Sequence, residues 1–114
     1  MSRAEGAVMS GWVRVATLSE LEPDYPRRVK LGERDIAVYL VEGSVFATDN
    51  VCTHAFALLS DGLLEGHEIV CPLHAGSFDI RTGEAMSPPC FDPIRAYECR
   101  VENGDVFVKV DGPA

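Results

Sequence analysis

Two short cysteine–histidine pairs carry the chemistry of this chain. Cys52-Thr53-His54 is followed, after sixteen residues, by Cys71-Pro72-Leu73-His74. Thiolates and neutral imidazoles both bind metal ions. Two of each on tight loops are a ligand set for a [2Fe–2S] centre in which histidines replace cysteines on one of the two irons. Zinc accepts the same set, and four buried side chains without a metal are the plainest alternative. A C-x-H pair, however, departs from zinc-finger spacing, where each pair is like with like. Two histidines in loops after cysteines are also hard to explain as core filling.

Formal charge suits an electron carrier. Two thiolates cancel the formal charge of a diferric core bridged by two sulfides, and neutral histidines add nothing. The oxidised centre is then formally neutral and the reduced one singly negative. A four-cysteine cluster is more negative in both states, so histidine ligation raises the reduction potential.

The stretch from Val51 to Pro89, with C-T-H-A-F, C-P-L-H-A-G-S-F-D-I-R-T-G-E and S-P-P, resembles the Rieske family. Within that family it looks like the small free-standing ferredoxins of multicomponent aromatic-ring-hydroxylating dioxygenases. The resemblance implies one [2Fe–2S] cluster as cofactor. Cys52 and Cys71 would hold the inner iron. His54 and His74 would hold the outer one and pass the electron, and no residue would be catalytic. It implies an all-β fold, a small antiparallel sandwich or barrel of stacked sheets with the cluster-binding loops at one tip. It implies two partners docked in turn at that tip, an NAD(P)H-dependent flavoprotein reductase and a terminal non-haem-iron oxygenase. Ser87-Pro88-Pro89 resembles the family's rigid loop over the cluster. Ala57 and Leu73 stand where high-potential members carry a disulfide. Gly76 and Phe78 stand where those members place serine and tyrosine hydroxyls, and Ser77, offset by one, is no substitute. The low-potential branch is therefore implied.

Composition sets the bounds. The 114 residues make one domain, 1–114, with 1–10 as a flexible tail and no room for a second, catalytic domain. No apolar run reaches the ~18 residues of a membrane helix, and Met1 to Gly11 is not a signal peptide. A soluble, cytoplasmic, monomeric protein is expected. Of the four cysteines, Cys90 and Cys99 are left as free thiols. Cys99 shares a strand side with Tyr97 and Val101 and should be buried; Cys90 reads as a bystander. His67 lies in a polar surface turn. The net charge is −8, and Asp35 to Ile80 holds seven carboxylates but no lysine or arginine. Those carboxylates suggest an acidic ring around an apolar tip of Ala55, Phe56, Pro72 and Leu73. Such a surface suits a transient redox complex and excludes nucleic acid and anionic membrane as partners.

Alternation and turn residues predict strands over 12–18, 26–31, 35–41, 44–48, 68–71, 77–80, 94–101 and 106–110. Hairpin turns are predicted at Glu42-Gly43 and Asn103-Gly104-Asp105, and one helical turn at Ser19–Glu22. Two other functions fit parts of the pattern: a small Rieske-like subunit of a larger reductase, such as an NADH nitrite reductase, and a zinc-binding interaction module.

Overall fold

The structure is a computed structural model that describes residues 8–9, 11–53, 57–73, 76–88, 90 and 92–110, with 8–9 as backbone only. The strands are β1 (Val8–Met9), β2 (Trp12–Thr17), β3 (Arg27–Leu31), β4 (Arg34–Val41), β5 (Ser44–Asp49), β6 (Leu63–Glu65), β7 (Glu68–Val70), β8 (Ser77–Asp79), β9 (Ala85–Ser87), β10 (Ala96–Tyr97), β11 (Cys99–Glu102) and β12 (Asp105–Lys109). They form three antiparallel sheets, ordered β1-β2-β12-β11, β10-β5-β4-β3 and β6-β7-β8-β9. Among the described residues the only helical pieces are 3₁₀ turns at Leu18–Glu20 and Leu59–Asp61. The all-β expectation holds.

β4 shows how the layers stack. Ile36, Ala37, Val38 and Tyr39 have no exposed surface. Ile36 and Val38 join a core with Ala16, Val106 and Val108. Ala37, Tyr39 and Val41 join a second core with Leu59, Ile69 and Phe78. The sheet containing β4 is thus covered on both faces, and the strand reads as a continuous apolar run, not an alternation. Tyr39 buries its hydroxyl as well. It donates to Thr48 Oγ1 at 2.8 Å, and Thr48 in turn donates to the Asp49 carbonyl at 2.8 Å. Burial raises the Tyr39 phenol above its ordinary pKa.

The turns follow local chemistry. Glu42-Gly43 joins β4 to β5, and Asn103-Gly104 joins β11 to β12, all four residues at positive φ. This is the two-residue turn whose twist matches the strands. The expected helical turn is a 3₁₀ turn closed by Thr17 N donating to Glu20 Oε1 at 3.0 Å. One expected strand is two. Residues 94–101 split at Glu98, so that β10 pairs with β5 in one sheet and β11 with β12 in another. Val101 is therefore exposed and Cys99 only half-buried. Pairing also reaches into the stretch read as a tail, where Val8 lies opposite Val13 and Met9 opposite Trp12.

Candidate metal centre

Two loops of the same length carry the cysteine pairs. In the first, Val51 pairs with Leu58. In the second, Val70 pairs with Ser77. Residues 52–57 and 71–76 lie between these pairs, and each loop opens on its cysteine. Each is closed in the same way. Cys52 N donates to Ala57 O at 2.9 Å, and Cys71 N donates to Gly76 O at 2.6 Å. The closing bonds hold both thiols inward, with Cys52 4% and Cys71 1% exposed. His54 and His74, and with them Ala55, Phe56 and Pro89, lie outside the described residues.

Asn50, which the sequence did not single out, anchors the first loop. It is wholly buried. Its Nδ2 donates to Asp35 Oδ1 and to Ser60 Oγ, both at 3.0 Å, and its Oδ1 accepts from Ser60 N at 2.7 Å. Its carbonyl accepts from Leu59 N at 2.7 Å. One side chain thus ties the entry of the loop to its exit and both to β4. Asp35 is held in turn by a two-pronged bond from Arg28, at 3.0 and 2.7 Å. That bond keeps the Asp35 carboxyl below its ordinary pKa. On the second loop, buried Ser77 donates to Glu68 Oε2 at 2.5 Å and lies 3.1 Å from Ser87 Oγ, which links β7, β8 and β9.

A third segment closes over both loops. Thr53 Oγ1 donates to the Asp92 carbonyl at 2.8 Å. Cys90 N donates to Ser87 O at 3.1 Å. Cys90 is 3% exposed, and its sulfur lies 3.8 Å from that of Cys52. Burial pushes its thiol up to about 12, and the nearby sulfurs of Cys52 and Cys71 add to the shift. Cys90, read from the sequence as a bystander, thus lies buried beside the cysteine that opens the first loop. Its clue in the sequence was the position directly after Pro88-Pro89. Phe78, fully buried, shares a core with the three cysteines.

The donor chemistry suits an iron–sulfur centre. None of the four cysteines, all of them described, is in a disulfide, and two of them begin matched loops in an apolar surround. Among the described residues no three of His, Cys, Asp or Glu are placed to hold a metal ion. The Rieske [2Fe-2S] domain family matches residues 11–98. The chain belongs to that family. It is 44% identical over 100 residues, covering 88% of this chain and 96% of the relative, to the ferredoxin component of the naphthalene 1,2-dioxygenase/salicylate 5-hydroxylase systems of a Ralstonia species. The ferredoxin of carbazole 1,9a-dioxygenase from Nocardioides aromaticivorans IC177 superposes with a TM-score of 0.86 at 39% identity, covering 90% of this chain and all of that one. A ferredoxin solved in complex with the oxygenase of carbazole 1,9a-dioxygenase gives 0.85 at 37%, over 93% and 99% of the two chains. A small subunit of an NADH-dependent nitrite reductase from Mycobacterium tuberculosis, at 22% identity and a TM-score of 0.76, shares the fold alone.

Beside the Rieske loops lies an apolar groove of about 450 Å³, lined by Val51, Ala57, Leu58, Pro72 and Leu73 with Asp61 at its edge. Leu73 and Leu63 stand exposed near it. The acidic ring is smaller than the sequence suggests. Leu63 pairs with Val70, next to Cys71, whereas Glu65 pairs with Glu68 at the other end of the hairpin. Asp35 and Asp79 are taken up by Arg28 and Arg81. Of these carboxylates only Asp61 borders the groove. His67 is a turn residue, as expected, and its ring meets Phe46 edge-on at 5.4 Å.

Proposed function

We propose that this protein is the ferredoxin component of an aromatic-ring dioxygenase system, a one-electron carrier and not itself the oxygenase. Bound [2Fe–2S] would supply reversible uptake of a single electron. Cys52 and Cys71 would hold one iron, and His54 and His74 the other. The observation that carries this reading is the pair of matched loops, each opening on a buried cysteine, in a chain whose relatives are dioxygenase ferredoxins. The chain's own residues do three things. The closing backbone bonds point both thiols inward. Asn50, Thr53 and Ser77 brace the loops, which limits reorganisation between the two redox states. The groove with Leu73 at its rim and Asp61 beside it offers an apolar contact with a negative edge.

The electron would come from an NAD(P)H-dependent flavoprotein reductase and go to a terminal non-haem-iron oxygenase, each docking at the cluster end. A shared contact of this kind has to be brief, which small apolar area and screened charge allow. Residues 1–114 act as one domain. The protein works as a cytoplasmic monomer; no helix among the described residues is long and apolar enough to cross a membrane, and the net charge of −8 opposes binding to nucleic acid.

The test is cofactor content and ligand identity. Anaerobically purified protein should hold about two irons and two sulfides per chain. The reduced form should give the low-average-g resonance of mixed cysteine–histidine ligation. His54→Ala and His74→Ala should each lose it. A signal of the four-cysteine type, or stoichiometric zinc in colourless protein, refutes the assignment.

A further inference from the structure

Cys90 lies against a proposed ligand and stands outside the proposed ligand set. Its sulfur is 3.8 Å from that of Cys52, within reach of an S–H···S hydrogen bond, and either atom could donate in the free protein. Metal decides the direction. A cysteine bound to iron is a thiolate with no proton to give. A thiol that binds no metal carries an S–H group, a weak hydrogen-bond donor. With Cys52 on iron, Cys90 is the only possible donor of the pair.

Gly76 makes this placement possible. A Cβ on residue 76 would stand 2.4 Å from Cys90 Sγ and 3.1 Å from Cys90 N. The empty space beside the second loop is therefore filled by a thiol from the third. The thiol is fixed there from both sides, by Cys90 N on Ser87 O and by Thr53 on the Asp92 carbonyl.

We propose that Cys90 is a positioning residue for electron transfer, whose thiol donates a hydrogen bond to the Cys52 sulfur and so favours the reduced carrier. A donor aimed at a ligand sulfur stabilises the state that carries more negative charge. Gly76 offers no side-chain hydroxyl of its own, and the thiol occupying its space is a weak donor. The protein thus keeps a small upward pull on a low potential. The proposal rests on the assignment of Cys52 as an iron ligand.

The experiment compares iron-loaded wild type, Cys90→Ala and Cys90→Ser, each equilibrated with a one-electron mediator. Iron content and the low-g resonance are read first. If wild type lacks them, the ligand assignment falls and the proposal with it. With both intact, Cys90→Ala should shift the reduced-to-oxidised ratio about threefold toward oxidised, roughly 30 mV at 59 mV per tenfold. Cys90→Ser, which keeps a donor, should restore most of that shift. No shift in either variant overturns the proposal, as does an equal fall in both, since that would be a packing effect. If Cys90→Ala fails to hold iron, the wild-type thiol still decides. In a Cys99→Ala background Cys90 carries the one remaining S–H group, and its infrared stretch should move to lower frequency on reduction. A stationary band overturns the proposal.

Discussion

Replacing Asn50 by alanine should strip the first loop of its anchor. The side chain makes three hydrogen bonds with no exposed surface, two with Ser60 and one with the Asp35 carboxylate. Neutral bonds contribute about 1 kcal/mol each and a bond to a charged group roughly 1.5–3 kcal/mol. The loss should therefore be about 3–5 kcal/mol, a large share of the roughly 5–15 kcal/mol that holds a domain folded. At this chain length the unfolding midpoint should drop by about 10 °C or more. Heating iron-loaded protein while recording far-ultraviolet circular dichroism and visible absorbance tests this. Both transitions should move together, because the same side chain holds the fold and the ligand loop. Asn50→Asp keeps the shape but sets a second carboxylate against Asp35. It should be damaged at neutral pH and partly recover as acid neutralises the pair. A fall of less than about 1 kcal/mol for Asn50→Ala, well under the sum expected of its bonds, would refute the reasoning.

The midpoint potential should fall near the low end of the family range, roughly −150 mV, and Phe78→Tyr should raise it; a wild-type value above about +100 mV, still inside that range, would contradict the reading of Gly76 and Phe78. Electron transfer from the reductase should slow as salt rises through the association rate, because exposed charges are screened within ~8 Å at physiological ionic strength. Asp61→Lys should mimic high salt without moving the potential, Leu73→Ala should weaken the complex at every salt concentration, and Glu65→Lys, at the far end of its hairpin, should do little; equal effects of Asp61→Lys and Glu65→Lys would count against the groove. Arginine partners hold the Asp35 and Asp79 carboxyls below their ordinary pKa. Depressed carboxyl values mean stability that is present above about pH 4 and is lost as pH falls below it. Urea midpoints across that window should show the loss, and Arg28→Ala or Arg81→Ala should flatten it.

Much of this protein was legible in the chain because it depends on near neighbours. The spacing of Cys52, His54, Cys71 and His74 announces two small loops with metal-binding donors, since ligands from one loop must be close in sequence. Glu42-Gly43 and Asn103-Gly104 announce hairpins because a two-residue turn needs positive φ at both positions. Alternation in β12 marks Val106 and Val108 as core. What alternation cannot carry is which sheet a strand joins. The break at Glu98 moves β11 away from β10's sheet, and the pattern of apolar residues reads the same on either side of it. The acidic stretch misled for a related reason. Composition places Glu65 and Glu68 near the cysteines in sequence, whereas strand register carries them to the opposite end of their hairpin. Asn50 looked like any polar residue after a strand until the packing of Ser60 and Asp35 around it closed the water out. Cys90 stands 38 residues from Cys52. Only the folding of three loops onto one another, with Gly76 leaving room, brings its thiol to that sulfur, because a contact between distant segments is set by the packing of the whole and by no local preference of the chain.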